Sequence, residues 1–236
     1  MSGSAVVIGA SGGLGRALTQ RLVAEGGFEA VWAVSRSAAA VPGARPLAAD
    51  LEDEDSLAQA AARIAQGAAP TLVLVATGVL HDGFQPERSL RQLEAEHLLR
   101  DYRINTVGPA LVAKHFLPLL PRDRRAVFAA LSARVGSIGD NRLGGWHAYR
   151  ASKAALNMIL RNLAIETART HPLAVVAGLH PGTVDTGLSA PFQKGVGEGR
   201  LFSPDHSAER LLAVAAGLTP GDSGGVFAWD GARIPE

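Results

Sequence analysis

From one end of the chain to the other, short β-branched runs alternate with longer Ala/Leu/Arg segments of helical period. That alternation leaves few folds open. Strands are predicted at residues 5–8, 30–34, a short third ending near Asp50, then 72–75, Ala126–Leu131, 173–178 and 226–229. Helices are predicted at 14–25, from an Asp53 cap to Gln66, across 89–120 with a break at Gly108-Pro109, and at 147–170 and 207–217. The run Leu72-Val73-Leu74-Val75 is apolar without alternation, as a strand covered on both faces must be. Strand–helix alternation of this kind closes by right-handed crossovers into a doubly wound parallel sheet of about seven strands with helices on both faces. No repeat or composition break divides residues 1–236, so one domain is expected. The stretch 183–204, rich in Gly and Pro yet carrying Leu188, Phe192 and Val196, is expected to be a loop over a substrate.

Composition removes several classes of function. The 236 residues include no cysteine, which excludes disulfides, thiolate metal sites and thiol catalysis. Lys and Arg number 23 against 22 Asp and Glu, so the formal charge of +1 gives no nucleic-acid or membrane footprint. The apolar stretch 71–80 is far short of the ~20 residues of a membrane span, and Met1-Ser2-Gly3-Ser4 lacks the basic start of a signal peptide. A cytoplasmic protein is expected. The seven histidines show no metal-ligand spacing, so no metal is expected.

Strand one runs into Gly9-Ala-Ser-Gly-Gly13-Leu-Gly15 and then a helix. Glycines at such a junction let backbone amides approach a pyrophosphate at the positive end of the helix. Ser11 and Leu14 belong to the same loop. The second strand ends at Ser35-Arg36, where an acidic residue would bind the ribose hydroxyl of NAD and an Arg accommodates the 2′-phosphate of NADP. No carboxylate lies between Glu29 and Asp50, so NADP(H) is expected in preference to NAD(H). Asp50-Leu51 either receives the adenine amino group or opens the next helix.

Tyr149-Arg-Ala-Ser-Lys153 opens the helix after the fifth strand. Four residues apart, the phenol and ammonium share one helix face, and a neighbouring cation lowers a phenol's pKa. With two tyrosines and three lysines in the chain, a chance Tyr-x3-Lys pair is expected about 0.03 times. Pro109 lacks an amide hydrogen and crowds the carbonyl four residues back, at Asn105, so the helix should be distorted there.

In order and spacing, the glycine loop, Asn105, Ser132, the Tyr149–Lys153 pair and Pro181-Gly182 resemble the short-chain dehydrogenase/reductase family across essentially the whole chain. Segments 131–137 and 140–146 look most like its bacterial branch related to C-factor. The resemblance implies a Rossmann fold and NADP(H)-dependent hydride transfer between nicotinamide and a small carbonyl or alcohol substrate. Tyr149 would be the acid/base, and Lys153 would tune it and hold the ribose. Asn105 would bind a water leading from Lys153, and Ser132 would polarise the carbonyl. Ala76, Thr77 and Gly78 would line the cofactor, with Pro181, Gly182, Val184 and Thr186 on its nicotinamide side. A homodimer or homotetramer is implied. Two departures stand out: Val75-Ala-Thr-Gly78 replaces the family's Asn-Asn-Ala-Gly, and Ser132-Ala133 replaces a pair of serines. Either Ser132 or Ser137 must then supply the hydroxyl, or the activity is reduced. Ala133 motivates a second reading, a dinucleotide-binding regulatory or signalling protein of C-factor type with little turnover.

Overall fold

A computed structural model describes residues 3–81 and 83–236. In chain order it contains β1 (Ser4–Ile8), α1 (Gly13–Glu25), β2 (Ala30–Ser35), β3 (Arg45–Ala48), α2 (Glu54–Ile64) and β4 (Pro70–Val75). Next come α3 (Ala95–Tyr102), α4 (Gly108–Phe116), β5 (Ala126–Leu131), α5 (His147–Thr167) and β6 (Ala174–His180). The chain continues with β7 (Thr183–Val184), β8 (Leu201–Phe202), α6 (Pro204–Gly217) and β9 (Val226–Ala228). Among the described residues, seven strands form one parallel sheet in the order β3-β2-β1-β4-β5-β6-β9.

Each face of the sheet carries its own core. Val7, Leu74, Val127 and Val175 point toward Leu14, Leu18 and Leu22 of α1 and Leu211 of α6. Val6, Val73, Phe128 and Val176 point the other way, toward Leu57, Ile64, Phe116, Leu156 and Leu160 of α2, α4 and α5. Burial on both faces explains the unbroken apolar strands. The order reverses at β1, whose neighbours are β2 and β4. The carboxyl ends of β1 and β4 therefore bound the crevice in which such sheets bind ligands.

Three expectations are corrected in detail. The helical region 89–120 breaks not at Gly108-Pro109 alone but into a 3-10 turn at Leu90–Gln92, α3, a π turn at Arg103–Val107 and α4. Pro109 cannot donate to the Asn105 carbonyl, and the preceding turn widens. Helix α6 starts at Pro204 rather than 207, because proline suits a first helical turn and Ser203 caps it by accepting from the His206 amide. Stretch 183–204 is not a plain loop. It holds β7 and β8, paired in parallel, and a 3-10 turn over Ala190–Gly195.

Candidate active site

The cleft begins where β1 hands over to α1. Gly9 has φ of 90°, and a Cβ there would lie 2.8 Å from Thr77 Cγ2. A Cβ on Gly15 would lie 2.1 Å from the Gly9 carbonyl oxygen, so the turn closes against its own backbone. Helix α1 has no side-chain cap and no acidic residue in its first turn, which leaves its terminal amides available to an anion. This cradle, which a Cβ would fill, fits a dinucleotide pyrophosphate. Beside it a cavity of about 410 Å³ is lined by Gly9, Ser11, Ser35, Arg36, Asp50 and Leu51, closed by Ala76, Thr77 and Gly78. Arg36 is exposed at its rim. The Ser35 hydroxyl accepts from the Ala39 amide, and Asp50 Oδ1 accepts from the Glu52 amide, so Asp50 serves its own turn while facing the cavity. Thr77 Oγ1 is buried with no hydrogen-bond partner among the described residues.

A second cavity, of about 490 Å³, adjoins the first across Ala76, Thr77 and Gly78 and contains Gly13, Leu14, Tyr149 and Lys153. Tyr149 and Lys153 project from the first turns of α5, with the Lys153 Nζ 5.8 Å from the phenol ring centre. Lys153 is 3% exposed and donates to the Leu131 carbonyl at 2.7 Å. Burial pushes its ammonium down to about 8, with Asp101 pulling the other way. Tyr149 departs from the sequence expectation: its phenol is raised above the ordinary value, first by burial and then by the nearby Asp101 charge.

Asn105 ties the cleft together. Its Oδ1 accepts from the Val79 amide at 2.9 Å, while its Nδ2 donates to the Val79 carbonyl and the Ser152 hydroxyl. Ser152 donates in turn to the Tyr149 carbonyl, and Thr106 donates to the Ser152 carbonyl. The π turn thus clamps the loop after β4 to the helix bearing Tyr149. Both ends of the Asn105 amide are engaged in this clamp, so the side chain acts first as a staple.

Ser132 is also brought to the cavity, but its hydroxyl donates to Asn157 Oδ1 at 2.6 Å. A hydroxyl has one proton, so in this arrangement Ser132 is not the carbonyl donor expected from the sequence. Ser137 is no substitute: its oxygen accepts from the Asp140 amide, and it does not line the cavity. Pro181, Gly182, Val184 and Thr186 do line it. Thr186 returns so close to the glycine loop that a Cβ on Gly13 would meet its Cγ2 at 2.9 Å.

Sequence reasoning missed much of the remaining wall. Trp146 caps α5 in left-handed conformation, φ 50° and ψ 43°, a strained geometry for a bulky residue. Its ring meets Tyr149 at 6.3 Å and Phe192 at 5.1 Å, both edge-on. Phe192, Leu188 and Val196, from the stretch expected to cover a substrate, join it. The only available signal for Trp146 was its place just before the Tyr149 helix. His147, its neighbour, does not line the cavity.

A doubly wound parallel sheet, a glycine cradle at its switch point and a Tyr-x3-Lys pair in the same cleft define a dinucleotide-dependent oxidoreductase class. The short chain dehydrogenase family profile matches residues 4–196, and the chain belongs to that family. C-signal of Myxococcus xanthus is 34% identical over 147 residues, 62% of this chain and 83% of that protein. The 1-hydroxy-2-glutathionyl-2-methyl-3-butene dehydrogenase of a Rhodococcus species is 36% identical over 132 residues, 56% of this chain and about half (55%) of that protein. In fold, the chain resembles an NADPH-bound carbonyl reductase from chicken fatty liver, with TM-score 0.85 at 24% identity, covering 99% of this chain and 94% of that one. Carbonyl reductase Sniffer of D. melanogaster gives TM-score 0.84 at 22% identity, with both chains covered fully. Among the described residues no helix is long and apolar enough to cross a membrane.

Proposed function

We propose that the protein is an NADP(H)-dependent carbonyl reductase, equally an alcohol dehydrogenase in reverse, with Tyr149 as the acid/base. The observation that carries this reading is the sharing of one cavity by the glycine cradle and the Tyr149–Lys153 pair. When bound, the nicotinamide supplies the hydride. The amides of the glycine loop and the start of α1 hold pyrophosphate, Arg36 takes the 2′-phosphate, and Lys153 holds the ribose. Tyr149 hydrogen-bonds the substrate oxygen and gives it the phenolic proton. Because Ser132 donates to Asn157 and position 133 is alanine, the phenol itself is the principal donor to that oxygen. Trp146, Leu188, Phe192 and Val196 keep water from the reacting carbon and favour an apolar substrate of moderate size.

Exposed Met158 and Ile165 on α5 and Leu99 on α3 support association into a homodimer or homotetramer. Light scattering checks it. The test of function is NADPH consumption over a panel of ketones, aldehydes and quinones, with Tyr149→Phe as control. Consumption that survives this substitution rules out the mechanism. Ala133 favours one other reading, a dinucleotide-binding regulatory or signalling protein. Tight NADPH binding with no turnover of any panel member would establish that reading instead.

A further inference from the structure

A third cavity, of about 920 Å³, adjoins the one that holds Tyr149, and the proposed reaction does not use it. Trp146 and Phe192 line both cavities. The Trp146 ring centre lies 6.3 Å from that of Tyr149 and 5.1 Å from that of Phe192, so the third cavity begins one aromatic ring beyond the phenol. Phe84 and His97 line its inner side, stacked at 4.9 Å and 7°, with His97 only 3% exposed. Its rim is cationic. Arg88, Arg91 and Lys194 stand there, all exposed, and Glu94 is the one carboxylate among the described lining residues. Among the described residues none of the three cationic side chains has an ion pair or hydrogen bond, whereas Arg21, Arg100 and Arg134 each pair with a carboxylate.

These cations are held by the elements that build the catalytic wall. Glu87, in the segment after β4 and next to Arg88, is 1% exposed. Its carboxylate accepts from the Ala148 amide in the first turn of α5, and its carbonyl accepts from the Trp146 amide. His97 Nδ1 stands 3.1 Å from Glu87 Oε1, which ties α3 to the same segment. Gln92 Oε1 accepts from the Arg88 amide at 2.7 Å and closes the turn that carries Arg91. On the other side, Lys194 follows Phe192 in the 3-10 turn over Ala190–Gly195, which Gln193 anchors by donating to Asp185 and to the Ser189 hydroxyl. A concave site ringed by unpaired charges of one sign focuses its field on an anion, and the planar fork of arginine matches a carboxylate or a phosphate.

We propose that the third cavity binds the anionic end of the substrate: a carbonyl compound whose reacting group lies at Tyr149 and whose apolar arm runs past Trp146 and Phe192 to a carboxylate or phosphate held by Arg88, Arg91 and Lys194. The assignment to a substrate rests on the carbonyl-reductase reading; the anion site itself does not.

NADPH consumption is measured with azelaic semialdehyde, which carries a carboxylate at the far end of a methylene chain, with its methyl ester, and with an aldehyde of equal length ending in a phosphate monoester. In the wild type at least one of the two anions should exceed the ester in kcat/KM by about tenfold or more, the scale of one hydrogen bond to a charged group. The difference should lie in KM, because the anion is remote from the reacting carbon. Whichever anion gains more is the group the site takes. Replacing both arginines, Arg88→Gln with Arg91→Gln, should bring the anion-to-ester ratio close to one, and Lys194→Gln should lower it by a smaller factor. An ester used as well as both anions by the wild type overturns the proposal, whatever the variants do. Calorimetry with azelaic acid and its phosphate-ended counterpart, in the presence of NADPH, reads the site without turnover. The wild type should bind one of them about tenfold or more tightly than the double variant, and no binding, or equal binding, overturns the anion site. A wild type that consumes no NADPH with any of the three aldehydes, yet binds an anion that the double variant does not, would sink the reductase reading and leave the anion site standing.

Discussion

The two ends of the cleft are built by different means. The pyrophosphate cradle at the nucleotide end is made from one continuous stretch, Gly9 to Gly15, and its shape depends on atoms that are missing. A Cβ at Gly15 would overlap the Gly9 carbonyl, and one at Gly9 would strike Thr77. The catalytic end is made from side chains delivered by separate segments. Asn105 comes from the π turn, Ser152 and Lys153 from α5, Leu131 from β5 and Glu87 from the segment after β4. Local backbone geometry specifies the first end. A hydrogen-bonded assembly spread along more than sixty residues specifies the second. Substitutions at the first end should therefore act on folding and cofactor affinity together, while those at the second should separate chemistry from binding.

The largest expected effect tests that separation. Tyr149→Phe removes the proton donor but leaves the ring against Trp146, so turnover should fall by ~10³ or more while NADPH affinity stays within a few-fold. Calorimetry beside a rate assay reads both, and a large loss of affinity would mean that the two ends are not separable. Next in size is Gly15→Ala. A methyl group against the Gly9 backbone should cost about 3 kcal/mol or more of stability and abolish NADPH binding in whatever folds. Gly12→Ala is its control, since a Cβ there meets nothing nearer than 3.4 Å, and equal melting losses would refute the steric account.

Arg36→Ala should act on affinity alone. The wild type should prefer NADPH over NADH by about tenfold, ~1.4 kcal/mol, and the variant should lose that preference without losing maximal rate. Unchanged preference would move the phosphate site elsewhere. Ser132→Ala should have the smallest effect among the site variants. Because its hydroxyl donates to Asn157, removal should cost no more than about 1 kcal/mol of transition-state stabilisation, the scale of one neutral hydrogen bond. A hundredfold loss in rate would show that the serine turns to the substrate during reaction.

The Tyr149 phenol also carries a pH signature. Burial and the Asp101 charge favour its neutral form, so in the free protein tyrosinate absorbance from Tyr149 should be absent up to the ordinary ~10 of a phenol. Ultraviolet titration of wild type against Tyr149→Phe isolates it from Tyr102. A difference signal below that pH would restore the view that Lys153 dominates.

Legibility in the sequence followed the same division. The parallel sheet could be read because central strands such as β4 and β5 are largely apolar runs and most crossovers carry a periodic helix, and the observed strand ends differ from expectation by only a few residues. The glycine cradle could be read because its constraint is local. The Tyr149–Lys153 spacing could be read because a helix places i and i+4 together. What could not be read depended on partners far away in sequence. Nothing near Ser132 announces Asn157, 25 residues on, yet that contact decides where its proton goes. Trp146 gave no pattern, because its role arises from a strained cap and from Phe192, 46 residues later.

The sequence by itself determined the alternation of strands and helices, the turn that only glycine can make, and a phenol and an ammonium on one helix face. These rest on backbone sterics and on periodicity, which act between near neighbours. Only the tertiary structure decided the electrostatic state of that pair. A lysine beside a tyrosine in sequence should lower the phenol, but burial removes the water that would stabilise a phenolate, and Asp101 adds an opposing charge from another helix. Burial and long-range charge are properties of the packed molecule. They exist only once α3, α5 and the segment carrying Glu87 have closed around the site.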